Sequence, residues 1–574
     1  MFIDTRQIGD GKALIVTVCV VGGGVAGLSI ARELEKAGVD TCVLESGGFD
    51  PDDETRDLYR GQATGIDYQF ADGCRARFLG GSSNCWGGWS RPLDRWDFDK
   101  RHWLPHSGWP FGLDELTPYY DRAHKVLKLG PVNFDPQFWE HAIGRPDVRR
   151  LPFKSGRVRD TISQFSPPVR FGKHYRSELK LARHVRVFLN ANVTELVPDA
   201  AGTQIREVRV RTMDGKRMTV AARVFILATG GIENARLLLA SHRILKQGVG
   251  NQNDLVGRYF MDHPRMLVGS VRFAPAWSRN KLYDIKYNYM NSAVSAHGQH
   301  IAAQLALTPQ TMEKEQVLNA RVCFCSEFPG EGSEGAKALF RIKQALLKKD
   351  QPDHTFAQDV IAMAGEPVNT LLYGVTRLFH PRSLIRNVGF QLIIEPLPDP
   401  DSRVTLSTTQ RDALGMPRVD VHWRLDAMVR RTADRTLTLI AQELQMNGVA
   451  QVDALPSIET HGWPASFERE GTWHHMGTTR MHDDERQGVV DRDCRVHGFS
   501  NFYIAGSSVF PTAGANFPTI TLTALALRLA DHIVKQLKSA HSMPVDESLL
   551  ATSNEYLEDT AIAAAVNAGS LPAT

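Results

Sequence analysis

The stretch Ile15 to Gly47, IVTVCVVGGGVAGLSIARELEKAGVDTCVLESG, constrains the fold more than any other part of the chain. Ile15 to Val21 is a β-branched run that stops at glycine, the pattern of a strand buried on both faces of a parallel sheet. Gly22-x-Gly24-x-x-Gly27 follows, and then a helical pattern in which Val25, Leu28, Ala31 and Leu34 oppose Ser29, Arg32, Glu33 and Lys36. Gly38 ends that helix. A second strand, Val39 to Leu44, delivers Glu45 eighteen positions after Gly27, where a carboxylate can accept hydrogen bonds from a ribose. Gly22 turns the chain, Gly24 admits a pyrophosphate to the backbone, and Gly27 lets helix and strand approach. The first turn of the helix, from Val25 and Ala26, offers free N–H groups and partial positive charge. This is a dinucleotide cradle, with Gly22, Gly24, Val25, Ala26, Gly27 and Glu45 as its candidate contacts.

A second copy of the glycine spacing, Gly330-x-Gly332-x-x-Gly335, reads differently. It lacks a preceding β-branched strand, Pro329 stands in front, and Glu331 and Glu334 occupy the place of a phosphate. It is expected to be a surface loop.

With 574 residues the chain can form two or more domains, and 42% hydrophobic with 23% charged residues is ordinary for a globular protein. A net charge of +3 without Lys/Arg clusters interleaved with aromatics leaves no electrostatic footprint for nucleic acid. The seven cysteines are scattered, odd in number and free of C-x-x-C pairs, which suits a reducing compartment. Nothing before Ile15 reads as a signal peptide or twin-arginine leader, and Ala13 to Val21 is too short to span a bilayer. A cytoplasmic enzyme is expected, with export alongside a signal-bearing partner as the alternative.

Further along, Pro51 to Gly73 is polar. Phe78 to Gly88, FLGGSSNCWGG, then crowds small residues before Trp86. Gly80 and Gly81 could line an anionic or carbonyl-bearing ligand and Trp86 could wall a flat ring, or the segment is a turn ahead of a core tryptophan. Val185 to Leu196 reads as one strand-like run, with Val193 placed for a backbone contact to an adenine. Glu207 to Thr212 and Met218 to Ala221 form a hairpin around Asp214-Gly215. Val224 to Leu227 is a further buried strand; it ends in Ala228-Thr229-Gly230-Gly231 and leads into a helix over Glu233 to Ala240. From His263 the strands become antiparallel in character: Met266 to Phe273, His300 to Leu307, Asn387 to Glu395, Arg403 to Ser407 and Arg418 to Trp423. Helical stretches at Lys337 to Leu347 and Asp359 to Phe379 are read as a lid or contact surface. Phe502 to Ala505 is again a buried strand, ending at Gly506-Ser507, and Pro518 introduces a long helix over Thr519 to Leu537. There is no internal repeat.

The motifs GGGVAGLSIARELEKAG, VLESG, GGSSNCWGG, NANVTEL, ATGGIENARLLL, VGRYFMDHP, WHHMGTTRM and NFYIAGSSVFPTAGANFPTITLTALALRLADHI together resemble the glucose-methanol-choline (GMC) family of FAD oxidoreductases. The resemblance is to the sugar-oxidising branch that holds pyranose oxidases and bacterial FAD-linked sugar dehydrogenases. It runs from about Val16 to His532 and is weakest between Phe273 and Gly389. It implies an α/β fold: a Rossmann-like FAD domain of the glutathione-reductase type with an antiparallel-sheet substrate domain. The FAD domain would be discontinuous, covering 13–262 with inserted loops at about 50–180 and then 465–540, the substrate domain 263–464, and the tail 541–574.

By the same resemblance, the cradle holds FAD rather than NAD, and Gly80, Gly81, Ser82, Asn84, Cys85, Val193, Ala228, Gly506, Ser507, Pro518 and Thr519 join its contacts. His474 falls on the histidine of the family's H-x-x-G-T motif and Asn516 on the polar partner in GANFPT; adjacent His475 is the alternative base. Hydride loss from a carbinol carbon to flavin N5 is easier as the hydroxyl proton leaves, so a base of near-neutral pKa and an N–H donor toward the developing alkoxide suit the chemistry. Apart from the resemblance, Asn516 reads as a helix cap. The helix at Pro518 would direct its N-terminal N–H groups at the flavin C2 carbonyl. Relatives that attach FAD through a histidine before the tryptophan of the GGSS segment differ here, because Cys85 holds that position. Noncovalent FAD is expected, with a cysteinyl thioether as the alternative.

The resulting expectation is an FAD-dependent dehydrogenase or oxidase of a sugar, glycoside or polyol hydroxyl, with oxygen, a quinone or a redox protein as electron acceptor. The alternatives are a lyase of the same fold of the hydroxynitrile-lyase type, an enzyme of non-sugar alcohols, and a noncatalytic flavoprotein. No metal site is expected, since adjacent His474 and His475 converge poorly on one ion.

Overall fold

The computed structural model describes residues 1–540 apart from 71–73, 289–293, 347–354, 380, 456 and 469–470. The expected tail at 541–574 lies outside the described residues. Lys12–Val21 is the central strand of an eight-stranded sheet, with Val18, Cys19, Val20 and Val21 fully buried. The helix Val25–Lys36 packs against it through Leu28, Ile30, Ala31 and Leu34. It stops in a Schellman arrangement: Gly38 takes a φ of +70°, and Val39 N donates to Leu34 O at 3.0 Å.

Gly27 is the contact point of helix and strand. A Cβ there would stand 2.0 Å from Gly22 O and 3.3 Å from Val20 Cγ1. Gly27→Val is therefore expected to destabilise the fold by about 3 kcal/mol or more through overpacking. A lowered thermal midpoint together with loss of bound flavin absorbance in the purified variant would register it.

The sheet runs Phe2–Asp4, Val185–Leu189, Thr41–Leu44, Lys12–Val21, Arg217–Leu227, Ile205–Arg211, Asn192–Pro198, and Phe502–Ile504 pairs with the upper end of Arg217–Leu227. Two sequence expectations are corrected here. Val185 to Leu196 is two strands, because Asn190 adopts a φ of +58°, donates its backbone N–H to Gly47 O and its side-chain amide to Asp4 Oδ1 at 3.0 Å. Asparagine tolerates that left-handed conformation. Conversely, Met218 to Ala221 and Val224 to Leu227 are one strand, Arg217–Leu227. Its lower half pairs antiparallel with Ile205–Arg211 and its upper half parallel with Phe502–Ile504, while Lys12–Val21 runs parallel along its other side. Gly22, Ala228 and Gly506 consequently end three adjacent strands at one sheet edge, where ligands bind in open α/β sheets.

The second layer is a seven-stranded antiparallel sheet: Arg265–Val268, Asn387–Ile394, Ala320–Glu327, Gln299–Leu307, Val158–Phe165 and Trp89–Ser90, with Ser295–Ala296 beside Gln299–Leu307. Its back is covered by Ala427–Met446, a helix the sequence reading passed over, through Val429, Ala433, Leu437, Ile440 and Leu444. Period-two alternation sends Leu392 and Ile394 toward that helix and Gln391 and Ile393 to the opposite face.

Three expectations change in this layer. Met266 to Phe273 splits at Gly269, which has a φ of +73°, and Val271–Phe273 pairs with Ala450–Val452 instead. Arg403–Arg411 and Pro417–His422 do not join the large sheet; they form a separate three-stranded sheet with Gly61–Ala63, and Val404, Val419, Val421 and Trp423 enter the same core as the Rossmann strands. The helical stretch from Asp359 to Phe379 is two helices, Phe356–Gly365 and Pro367–Phe379, interrupted ahead of Pro367. The second glycine-spaced segment is a turn that leads into the helix Glu334–Leu346.

Candidate active site

Between the carboxyl edge of the Rossmann sheet and the front of the antiparallel sheet lies a cavity of about 580 Å³. At one end is Glu45, buried at the end of Thr41–Leu44. Its carboxylate accepts from Gly23 N at 2.9 Å and Gly47 N at 3.0 Å, and burial raises its pKa. Gly22, Gly24, Val25 and Ala26 continue the wall; Gly22 has a φ of +108°, and a Cβ there would meet Ala228 O at 2.5 Å. Gly81, Ser82, Cys85, Trp86, Val193, Ala228, Gly506, Ser507, Pro518 and Thr519 also line it. The helix Thr519–Ala540 thus points its N-terminus into the cavity.

Four expected contacts lie off the wall. Gly27 is the helix–strand contact described above. Gly80 has a φ of +101° and a Cβ would collide with Gly172 N at 2.5 Å, so it serves a backbone crossing. Asn84 spends its amide on Leu79 O and Gly81 O, at 3.1 and 3.0 Å. Asn516 is buried one layer back: its Oδ1 accepts from Arg321 Nε at 3.1 Å and its Nδ2 donates to Pro92 O at 2.7 Å. Arg321, itself buried, also holds Asn319 Oδ1 at 3.0 Å and forms an ion pair with Asp94. The asparagine is drawn into an internal ionic network rather than presented to a substrate.

The structure adds wall residues that sequence reading missed. Arg75 and Arg77 stand over the Tyr59 ring at 4.4 and 4.9 Å and share Glu233 at 3.3 and 3.2 Å. Arg236 joins Glu233 at 3.3 Å and Asp412 at 2.6 Å. Arg77 Nε and His475 Nε2 are buried and have no hydrogen-bond partner among the described residues, although both side chains belong to the cavity lining. Together with the glycine backbone and Glu45, the open Arg77 donor, the unpartnered His475 nitrogen and the clustered guanidinium charge fit the ribose and pyrophosphate of a flavin dinucleotide.

At the other end, Thr472, Trp473, His474, His475 and Phe517 face Trp89, Arg265, Ile285, Lys286, Cys325, Gln391 and Ile393. His474 packs on Phe517, ring centroids 4.5 Å apart. Its loop is organised by Asp262, a buried carboxylate that accepts six hydrogen bonds. Oδ1 takes His263 N at 2.7 Å, Thr472 N at 3.3 Å, Thr472 Oγ1 at 2.9 Å and His474 N at 2.9 Å; Oδ2 takes Tyr68 Oη at 2.7 Å and Trp473 N at 2.9 Å. Gly471 makes the wrap possible: its φ is +56°, and a Cβ would lie 2.6 Å from Asp262 Oδ2.

The same contacts assign the histidine tautomers. His263 Nε2 lies 2.9 Å from Gly514 O, which can only accept, so Nε2 carries a proton. Burial pushes the pKa of His263 down to about 4, so its Nδ1 is bare and accepts. The Thr472 hydroxyl is spent on Asp262. His474 Nδ1, 3.1 Å from His263 Nδ1 and 2.7 Å from Thr472 Oγ1, must therefore be the N–H. Nε2 of His474 is left with its lone pair and no partner among the described residues. Burial first, then His263, Arg265 and His475, hold His474 well below the ordinary histidine pKa, and His475 is pushed down to about 3 by burial and Arg75.

Asp262, His263 and His474 also place ligating atoms within 4.8 Å of one another. The contacts above engage both Asp262 oxygens, His263 Nδ1 and Nε2 and His474 Nδ1 in hydrogen bonds, which makes the group a hydrogen-bonded support for the loop. In the sequence its signal is the DHP of VGRYFMDHP, a motif whose spacing alone assigns no role to Asp262 or His263.

The depressed histidines predict an acid weakness. Below the unfolded-state value of about 6.5 the unfolded chain binds protons that folded His263 refuses, so stability is constant above that pH and falls as pH drops from about 6.5 to 4, by up to about 3 kcal/mol for one such histidine. Urea denaturation at stepped pH should show this slope, and His263→Gln should remove the His263 share of it, leaving the shares of His474 and His475.

The GMC oxidoreductase family model matches residues 398–526, and the FAD dependent oxidoreductase model matches residues 17–248. The chain is a GMC oxidoreductase, and FAD is its cofactor. Paromamine 6'-oxidase of Streptomyces fradiae is 25% identical over 92% of this chain and 93% of its own length. C-glycoside 3-oxidase of Arthrobacter globiformis is 33% identical over 24% of this chain and 25% of its own. The fructose dehydrogenase large subunit of Gluconobacter japonicus is 25% identical over 62% of this chain, and the match spans 54% of that protein. Among solved structures, formate oxidase superposes with a TM-score of 0.51 at 18% identity, covering 93% of this chain and 100% of that one. A fungal aryl-alcohol oxidase gives 0.51 at 15% identity, with 91% and 99% covered, and both show the same fold.

Proposed function

We propose that this GMC oxidoreductase oxidises a hydroxyl of a sugar, glycoside or related polyol to a carbonyl, with His474 as the base. The observation that carries the reading is the unshared Nε2 of His474 at the cavity wall, with Nδ1 tied behind it to His263 and Thr472. FAD, when bound, supplies the hydride acceptor. His474 Nε2 takes the hydroxyl proton, and the positive charge that then forms on the ring is stabilised at Nδ1–H by Thr472 Oγ1 and the bare His263 nitrogen. Asp262 fixes the loop through three successive backbone N–H groups, so the ring is oriented before substrate arrives. Trp89 and Phe517, with ring centroids 5.0 Å apart, form an apolar flank that excludes water, while Gln391, Arg265 and Lys286 offer polar contacts for further hydroxyls. The sugar assignment draws on the relatives' own substrates, among them paromamine, C-glycosides, pyranose and fructose.

Anaerobic titration of the purified holoprotein against sugars, glycosides, cyclitols and simple alcohols tests this. Bleaching of the flavin band by a sugar or glycoside is the expected result, and admitting air then separates an oxidase from a dehydrogenase. A flavin that dithionite reduces but no member of the panel bleaches would overturn the reading and move a lyase to the front.

A further inference from the structure

Of the three helices inserted after the strand Ala320–Glu327, the second and third are built inside out. In Pro367–Phe379 the buried positions are Thr370, Tyr373 and Thr376, one face at a spacing of three, and in Phe356–Gly365 the buried residue is Asp359. Polar ties hold this inner side. Arg341 Nε donates to Asp359 at 2.7 Å, Arg377 Nε to Tyr373 Oη at 2.9 Å, and Gly335 N to Glu366 Oε2 at 3.0 Å. The outward side is apolar: Phe356, Ile361, Val368, Leu371, Leu378 and Phe379 are 68–73% exposed. Of the fifteen large apolar side chains exposed among the described residues, nine fall between Phe340 and Phe379. A water-facing helix pair has the reverse arrangement, so this surface is made for an apolar medium.

Charge selects the medium. Between residues 334 and 386 the sequence has eight Lys and Arg against five Asp and Glu; residues 356–379 hold Arg377 against Asp359 and Glu366, so the positive surplus lies in the segments that flank the two helices. Arg341 and Lys337 are neutralised by Asp359 and Glu334, whereas Lys343 and Arg386 are exposed and Arg382 reaches the carbonyls of Ser278 and Arg279. Two copies meeting here across a two-fold axis would set one pair of positive flanks against another. An anionic lipid headgroup layer is attracted to them. No helix among the described residues is long and apolar enough to cross a membrane. At 10 and 13 residues, the second and third helices are suited to lying in the interface plane.

We infer that the outer face of Phe356–Gly365 and Pro367–Phe379 is a monotopic docking surface for an anionic lipid bilayer. The surface is tied to the cavity. Lys286, on the cavity wall, donates to Glu331 at 2.7 Å in the turn ahead of the first inserted helix, and Gly330 of that turn packs so closely on Asn369 that a Cβ would lie 2.5 Å from its carbonyl.

Flotation of the full-length holoprotein with phosphatidylcholine vesicles, with and without phosphatidylglycerol, tests this. The expected result is co-flotation with the anionic vesicles, weakened at least about tenfold in molar salt as screening shortens the attraction, and again at least about tenfold in a triple Ile361→Asp, Leu371→Asp, Leu378→Asp variant whose flavin content and bleaching match the parent. Protein that stays in the lipid-free fractions with both vesicle types overturns the inference. So does light scattering that finds a lipid-free dimer which the triple variant converts to monomer, since a second copy is then the occupant. Should the variant fail to fold, vesicle composition and salt dependence of the parent protein still decide.

Discussion

His474→Ala is expected to slow anaerobic flavin reduction by about 10²- to 10⁴-fold, the usual contribution of a positioned general base, while the purified variant keeps its FAD. Retention follows from the layout. His474 belongs to the end of the cavity walled by Trp473 and Phe517, whereas Glu45, Gly22, Gly24 and the arginines around Tyr59 line the remainder. Stopped-flow reduction with a substrate that bleaches the parent enzyme reads the rate, and the flavin-to-protein absorbance ratio reads the retention. The pH dependence supplies a second readout. Because burial first, and then the neighbouring basic side chains, hold His474 well below its ordinary pKa, the ring is already neutral at neutral pH. The parent's reduction rate should therefore be level through the neutral range and fall only on the acid side, as protonation removes the Nε2 lone pair. An Ala variant that reduces as fast as the parent, or a parent whose rate falls through neutral pH with a limb at the ordinary histidine value, would remove His474 from the role of base.

The parts of this molecule that were legible in the sequence are those where one local rule suffices. The Gly22 to Gly27 turn, the helix stopped at Gly38 and the acid at Glu45 each follow from backbone sterics and a 3.6-residue period, and all appear where expected. What was misread depends on partners distant in sequence. Arg403–Arg411 and Pro417–His422 alternate like any half-buried hairpin, and nothing local says that Gly61–Ala63 will pair with the second of them. Asn190 could equally have continued a strand; its turn is held by Gly47 and Asp4. Asn516 looked like a substrate contact or a cap because its ties to Arg321 and Pro92 span 195 and 424 positions. Asp262 and His263 precede the His474 loop by some two hundred residues, so a reading that follows the chain meets them as the end of one domain rather than the floor of the site. The inserted helices show another limit: periodicity identifies a helix with two faces, but not which face is covered.

Asp262→Asn should impair stability and catalysis together, unlike His474→Ala. If the amide oxygen takes the place of Oδ1, the bonds from His263 N, Thr472 N, Thr472 Oγ1 and His474 N persist, and the amide nitrogen replaces Oδ2. There it faces Tyr68 Oη and Trp473 N. The tyrosine hydroxyl can rotate to accept, but the Trp473 N–H cannot, so two donors confront each other in a buried site. One orphaned donor with loss of the charged acceptor amounts to about 3 kcal/mol. The opposite rotamer is worse, since it sets the amide nitrogen against three backbone N–H groups. Relief requires the 471–474 loop to move, and displacing a base by about 1 Å can cost about 10²-fold in rate. The thermal midpoint should therefore fall, and flavin reduction should slow at least about tenfold with FAD still bound. Tyr68→Phe removes one of the six donors and leaves the backbone bonds in place, so it should change both quantities far less. Equal effects of Asp262→Asn and Tyr68→Phe would mean that the carboxylate is ordinary core polarity; the expected gap between them would assign the placement of His474 to the backbone N–H groups that Asp262 gathers.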